Sequence, residues 1–297
     1  MGSHSIATII LYCTNDFQFL ARCVKEAQVF SQQVIVVYGS HFFDGTPENE
    51  LLLEKSQYQG PNCQFIKFPF HIEKEAIFDN SYGHNIARWV GINYLKSDID
   101  YVLFLDVDEV VNGAHFLEWL ETGEYRRYDT IKIENYWYFR EPVYQATTTE
   151  QSVIMVKANK IHPKRIFSKK ERQGLVTGTR LMGAKSVDGH PMIHHYSWVR
   201  DKQAMIKKVI SWGHKNDRDW ISLIEAEFSH PFSGKDFVHG YSFTTVSSFI
   251  ETKDSVFREQ SPLIQLTDSE LEQLEYQAVK RIKPIRTFFK SLISGKR

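Results

Sequence analysis

The chain has 297 residues, enough for one α/β domain with additions or two small domains, and 42% of them are hydrophobic, which excludes a globally disordered protein. Its 36 Lys and Arg balance its 36 Asp and Glu, so net charge gives no reason to expect a nucleic-acid partner. Cys13, Cys23 and Cys63 are odd in number and lack C-x-x-C spacing, which argues against a disulfide framework or structural zinc and for a reducing compartment.

The β-branched apolar run Ile6 to Leu11 predicts a first strand, stopped by Thr14-Asn15-Asp16. Leu20, Cys23, Val24 and Ala27 then recur at helical spacing. Val34 to Val37 predicts a second strand, ended by Gly39-Ser40, and Phe65 to Phe68 a shorter third. Ala87, Val90, Gly91, Tyr94 and Leu95 form one helix face ahead of a fourth strand, Tyr101 to Leu105. Continuous rather than alternating apolar runs predict strands buried on both faces, hence an α/β fold with a mostly parallel central sheet flanked by helices.

From about Asp129 to His195, Thr130 to Ile133, Val153 to Val156 and Lys164 to Phe167 read as short strands that extend this sheet. From Trp198 onward the pattern is mainly helical. Met205, Val209 and Trp212 share one face, as do Trp220, Leu223, Ile224 and Phe228. Thr267 with Glu270 makes a capping box before Leu271, Leu274 and Ala278. The expected organisation is an α/β body over residues 1–197 and a helical C-terminal region over residues 198–297 packed on it.

The strongest chemical signal is Leu105-Asp106-Val107-Asp108-Glu109, where a buried strand runs straight into three carboxylates. Ligands of open α/β sheets sit at the carboxyl ends of strands. Carboxylates this close repel one another unless a positive charge joins them, and Mg2+ or Mn2+ commonly bridges such acids to substrate phosphates. The competing reading is a solvated turn or a cap for the helix near His115.

Four ordered pieces resemble the family 2 glycosyltransferases of the GT-A fold, over roughly Ser5 to Val111. Ile6 to Leu11 with Asn15 is similar to the opening strand and loop. Val36-Val37-Tyr38-Gly39-Ser40 with Asp44-Gly45-Thr46-Pro47-Glu48 resembles the nucleotide loop, Gly83-His84-Asn85-Ile86-Ala87 the start of the next helix, and Leu103 to Asp108 the D-x-D strand. Tyr38 stands where aspartate is common and His84 where arginine is usual, while His41, Phe42 and Phe43 are extra. Tyr38 is readable either as a stacking partner for a base or as a core aromatic.

The resemblance implies a GT-A-like fold and transfer of a sugar from a nucleotide-sugar donor to a glycan or lipid-linked acceptor. It implies donor-binding residues Asn15, Tyr38, Gly39, Ser40, Asp44, Asn85 and Asp106, and Mn2+ or Mg2+ at Asp106 and Asp108. His194 and His195 are candidate further ligands. Consecutive strand residues face opposite sides, so at most one of them reaches the metal, and either can instead be a hydrogen-bonded structural group. An inverting reaction needs a carboxylate base. Asp201 opens a predicted helix after Arg200, and Asp188 lies in the turn Val187-Asp188-Gly189-His190. Asp201 also reads as a charge favourable to its helix dipole.

Lys157, Lys160, His162, Lys164, Arg165, Lys169, Lys170 and Arg172 form a basic segment, readable as a solvated face or as a contact for diphosphate or an acidic acceptor. Tyr136 to Phe139 is an aromatic run suited to core packing or to sugar stacking. From Val279 to Arg297 there are seven basic residues and no acidic one, interleaved with Phe288, Phe289, Leu292 and Ile293. With no membrane-spanning stretch and no secretory signal, the expectation is a cytoplasmic protein whose tail offers peripheral contact with the inner face of a membrane. Two rivals stand beside the transferase. A sugar nucleotidyltransferase is disfavoured because Cys13 to Phe17 has no glycine. The other is a catalytically degenerate sugar-binding scaffold.

Overall fold

The computed structural model describes residues 5–42, 44–55, 62–77, 82–168, 170–211, 217–251 and 263–281. β1 (Ile6–Leu11) leads through a 3-10 turn, Thr14–Asp16, into α1 (Phe17–Gln28) and β2 (Gln33–Gly39). There follow α2 (Glu50–Lys55), β3 (Cys63–Phe68), α3 (Ile72–Ile77), α4 (Tyr82–Asn93), β4 (Tyr101–Asp106) and β5 (Glu109–Val111). After α5 (Gly113–Glu121) come β6 (Thr130–Phe139), β7 (Glu141–Ala146), β8 (Glu150–Lys157) and α6 (Pro163–Ile166). A 3-10 turn at Glu171–Leu175, the second that lines the cleft described below, precedes β9 (Arg180–Ala184) and β10 (Ile193–Trp198). The last described elements are α7 (Lys202–Ser211), α8 (Trp220–Glu227), β11 (Phe243–Thr245), β12 (Leu263–Gln265) and α9 (Asp268–Arg281).

The strands join in one 12-stranded sheet, with the path β11-β7-β6-β8-β4-β1-β2-β3-β12. The run β4-β1-β2-β3-β12 is parallel, and β8 then pairs antiparallel with β4 and β6. This is the expected α/β architecture of a central sheet flanked by helices. Its first strands are buried on both faces because their residues alternate between two cores. Ile6, Ile10, Val34, Val36, Leu103 and Leu105 join one core with α1 residues Leu20 and Val24. Ala7, Ile9, Ile35, Val37, Val102 and Phe104 join the other with α4 residues Ile86 and Val90. Apolar side chains at every position therefore serve two layers at once.

Register brings the ends of β1, β2 and β4 level, since Leu11 pairs with both Val37 and Asp106. Their carboxyl ends thus open on one edge of the sheet. β10 borders the same edge, running antiparallel to β5 with His195 opposite Glu109, and parallel to β6.

The segment Lys164 to Phe167, expected as a strand, is instead the helical turn α6. Pro163 supplies a fixed φ at the first helical position and the His162 side chain accepts the Lys164 amide, two start signals that outweigh the β-branched Ile166. The other two expected strands are real but longer, as β6 and β8. The capping box at α9 forms as read: the Thr267 amide donates to Glu270 Oε2 at 2.8 Å and the Glu270 amide to Thr267 Oγ1 at 3.3 Å. Trp137, Phe139 and Trp198 build a third core with Met205, Val209, Trp220 and Ile224, which seats α7 and α8 on the sheet. The aromatic run at Trp137 to Phe139 is therefore core, with Tyr136 packed at its margin. At the far edge, Trp89 Nε1 donates to Leu274 O at 2.8 Å, tying α9 to α4. Among the described residues no helix is long and apolar enough to cross a membrane. Phe43, Lys169, Trp212 and residues 282–297 of the basic tail lie outside the described residues.

Candidate active site

A cleft of about 280 Å3 opens at the carboxyl ends of β1, β2 and β4. One end is mostly apolar and aromatic, lined by Tyr12, Val37, Tyr38, Phe42, Phe68 and Phe70. The other is ionic, lined by Asp16, His84, Asp106, Asp108, Glu171, His195 and Lys208.

The acids at the end of β4 divide into one that faces inward and two that line the cleft. Glu109 is fully buried and takes both arms of Arg172: Nη2 donates to Oε1 at 2.8 Å and Nη1 to Oε2. Glu109 also accepts Ser152 Oγ at 3.0 Å and the Asp106 amide at 2.8 Å. Its carboxylate is thus saturated by structural partners. Asp106 remains 34% exposed, with Oδ2 3.4 Å from Arg172 Nη2, while Oδ1 is buried without a hydrogen-bond partner among the described residues. Burial alone would raise its pKa, but Arg172 and then Arg88 outweigh it and hold the carboxyl at about 2.

Asp108 is 7% exposed, with Lys208 Nζ 3.7 Å from Oδ2 and His195 Nε2 3.8 Å from Oδ1. Burial, and next the Asp16 carboxylate, push its pKa up against the pull of Lys208 and His195. The backbone around it is pinned on both sides: the Val107 amide donates to Leu11 O and the Tyr196 amide to Asp108 O. Neither acid caps α5, whose N-cap is Asn112.

The two histidines separate as strand geometry requires. His195 lines the cleft, its Nδ1 4.0 Å from Glu150 Oε2, so it stands between Glu150 and Asp108. A carboxylate behind an imidazole whose other nitrogen faces a further acid is an arrangement found at metal-bound histidines. His194 lies on the opposite side. Its Nδ1 is 2.7 Å from the Tyr138 hydroxyl, its ring stacks on Phe249 at 4.2 Å, and burial pushes its pKa down to about 3. His194 is a neutral core group, and at most His195 is available as a ligand.

Among the described residues no three His, Cys, Asp or Glu side chains are gathered closely enough to make a preformed metal cage. Two carboxylates and an imidazole beside a cleft nevertheless fit a divalent cation that takes its remaining ligands from substrate phosphates. The orphaned Oδ1 of Asp106 agrees with a polar partner arriving at this end.

Of the other residues expected to meet a donor, Asn15, Tyr38 and Gly39 line the cleft. Asn15 Nδ2 donates to Ser211 Oγ at 3.1 Å. Tyr38 is buried with its ring edge against Tyr12 at 5.8 Å, and burial raises its phenol above the usual range. Ser40, Asp44 and Asn85 do not line it. Ser40 Oγ accepts the Phe70 amide, Asp44 Oδ1 accepts the Thr46 amide in a turn that Gly45 closes at φ +84°, and buried Asn85 bonds Arg88 and Ser168. Asp188 is exposed and bonded to Ser186, and Asp201 is exposed and caps α7 through the Ala204 amide at 2.8 Å. Neither lines the cleft.

Four groups in or beside the cleft act on partners distant in sequence. Arg88 lies one turn beyond His84 on α4, fully buried, with Nη1 3.3 Å from Asn85 Oδ1, and burial lowers its pKa to about 10. Arg200, noted only as the residue before Asp201, reaches back to Asp16 and to Asn15 O. Among the described residues of the basic segment, Arg172 is the one that enters the acid cluster. Glu48 accepts the Thr14 amide at 3.0 Å and the Thr14 hydroxyl, and burial raises its pKa to about 7.

No protein-family profile matches the chain, and no curated protein does so either. Among solved structures it is similar to residues 1–349 of TarS from S. aureus, at 14% identity and a TM-score of 0.41, over 76% of this chain and 70% of that one. It is also similar to 4-diphosphocytidyl-2C-methyl-D-erythritol synthase from Anaerococcus prevotii, at 11% identity and a TM-score of 0.40, over 69% of this chain and 97% of that one. The galactosyltransferase LgtC follows at 12% identity and a TM-score of 0.38, over 76% of this chain and 97% of that one. These likenesses are distant, and the reading of function rests on the cleft's own residues.

Glu109→Gln removes the buried carboxylate bonded directly to both arms of Arg172 and leaves it only the longer Asp106 contact, so urea unfolding should show a loss of about 3–5 kcal/mol; a loss within 0.5 kcal/mol or so, ordinary for surface sites, would contradict the structural role. Glu48 supplies a pH signature. Its folded pKa of about 7 lies above the ordinary 4.5, so its stabilising contribution is full below pH 4.5 and is lost as pH rises through about 7. The stability of wild type relative to Glu48→Gln should therefore fall between pH 5 and pH 8, and a pH-independent difference would refute the raised pKa.

Proposed function

We propose that this chain is a GT-A-type glycosyltransferase that moves a sugar from a nucleotide-diphosphate sugar to a glycan or lipid-linked acceptor. The observation that carries the reading is one cleft, at the ends of parallel strands, with an aromatic end and an acid end formed by Asp106, Asp108 and His195. An apolar pocket with a few convergent polar groups is the usual form of a small-molecule site, and the D-x-D order along β4 matches the family resemblance.

In this reading Tyr12, Tyr38 and Phe42 receive the nucleoside, and Asp106, Asp108 and His195 hold Mn2+ or Mg2+. When bound, the cation supplies charge neutralisation for the diphosphate that leaves the anomeric carbon. The chain's own part is positional. Arg172 and Arg88 keep Asp106 ionised, Glu150 stands behind His195, and the backbone bonds of Val107 and Asp108 fix the turn. Walls of Tyr38, Phe68 and Phe70 exclude water from one side of the donor and strengthen these charges. An inverting course further requires a carboxylate near the acceptor hydroxyl. Asp188 and Asp201 were the candidates for it, and their exposed positions outside the cleft favour their local roles in a turn and a helix cap.

The test is thermal shift with Mn2+ and a panel of nucleoside diphosphates, followed by donor turnover. Metal and nucleotide should stabilise the protein jointly, by more than the sum of their separate effects. Asp108→Asn should abolish the joint effect and reduce turnover by roughly 100-fold or more, the scale of losing a charge-stabilising group. Asp201→Asn and Asp188→Asn should stay within about threefold of wild type, as expected of exposed sites without a chemical role. Normal turnover in Asp108→Asn would overturn the reading, and metal-independent sugar binding without a nucleotide effect would favour a scaffold.

A further inference from the structure

α7 carries two successive lysines to the cleft's margins. Lys207 Nζ lies over the Phe42 ring at 5.2 Å, at the aromatic end. Lys208 Nζ lies 3.7 Å from Asp108 Oδ2, at the acid end, and its side chain is only 14% exposed. The helix is firmly seated. Asp201 caps its start, Met205 and Val209 are buried in the third core, and Ser211 at its end bonds Asn15. Lys208 is thus a tethered cation whose four-carbon stem is the only flexible part.

The aspartates at this end and the buried Glu109 each have an internal cation. Glu109 and Asp106 share Arg172, with Arg88 near by, and Asp16 is paired with Arg200. Asp108 is met by Lys208, with His195 at 3.8 Å. The groups facing Lys208 are Asp108, Asp16 and Cys13. A divalent cation at Asp108 would stand beside the ammonium and repel it, and a diphosphate would offer it a new partner. The Lys208 ion pair is longer than a hydrogen bond, whereas Arg172 and Arg200 are bonded directly to their acids, so Lys208 is the cation free to move.

We propose that Lys208 holds the metal's place at Asp108 in the ligand-free protein and transfers its ammonium to the donor's diphosphate once metal and nucleotide are bound. This rests on the transferase reading and adds a binding residue to it. One ion pair exchanges partners; no covalent bond changes.

The experiment is isothermal titration of wild type, Lys208→Met, Lys208→Gln and Asp108→Asn with Mn2+ alone, then with uridine and guanosine diphosphate at saturating Mn2+. Removing the internal competitor should tighten Mn2+ binding in both Lys208 variants by about fivefold, or roughly 1 kcal/mol, the scale of a partly exposed ion pair. The same variants should bind the nucleoside diphosphate at least about fivefold more weakly. If wild type binds Mn2+ and Asp108→Asn does not, but the Lys208 variants match wild type in both titrations, the proposal fails while the metal reading stands. If neither wild type nor the Lys208 variants bind Mn2+, with or without nucleotide, the metal reading fails and takes the proposal with it.

Discussion

The buried pair between Glu109 and Arg172 is the constraint on which the cleft depends. A carboxylate sealed in a sheet is tolerated only with a counter-charge and full hydrogen bonding, and Glu109 has Arg172, Ser152 and the Asp106 amide. These partners come from the second 3-10 turn, from β8 and from the end of β4. One acid thereby fastens three segments and forces the turn Asp106-Val107-Asp108 into a fixed shape. The same guanidinium reaches Asp106 and keeps it ionised at the cleft wall. Position and charge of the cleft acids thus follow from a group that does not itself line the cleft.

Charge organises the rest of that end. Arg88, Arg172, Arg200 and Lys208 converge from α4, the second 3-10 turn, the segment after β10 and α7 onto acids carried by β4, its following turn and the loop after β1. Such a cluster sets carboxylate pKa values apart: Asp106 is held down at about 2 while Asp108 is pushed up. Perturbed groups of this kind concentrate at functional sites because structure alone seldom needs them in a cleft. The opposite end, walled by Tyr38, Phe68 and Phe70, supplies mostly apolar surface. In the proposed reading the flat part of the donor meets the apolar end, and its diphosphate meets the acids through the cation.

Much of this was legible in sequence where periodicity or position carries the information. Strands β1, β2 and β4 declared themselves by unbroken apolar runs because both their faces are buried, and Asp106 followed from standing where such a run ends. The opposite fates of His194 and His195 followed from strand alternation alone. The role of Glu109 did not, because three adjacent acids look alike until a distant arginine selects one. Arg88, Arg200 and Lys208 were silent for the same reason, and Arg172 stood out only as part of a basic run: each acts across the chain, and no local pattern marks its partner. Lys164 to Phe167 was misread because the β-branched Ile166 and aromatic Phe167 resemble a strand, whereas Pro163 and His162 start a helical turn just before them.

In the proposed reading Asp106 and Asp108 take a divalent cation facing a diphosphate. Anomalous diffraction from a crystal soaked with Mn2+ and a nucleoside diphosphate would locate that cation. A manganese peak about 2.0–2.3 Å from a carboxylate oxygen of Asp106 or Asp108, with phosphate oxygens completing the shell, is the predicted result. A nucleotide bound in the cleft with no metal beside those acids, Asp106 still on Arg172 and Asp108 still on Lys208, would contradict it.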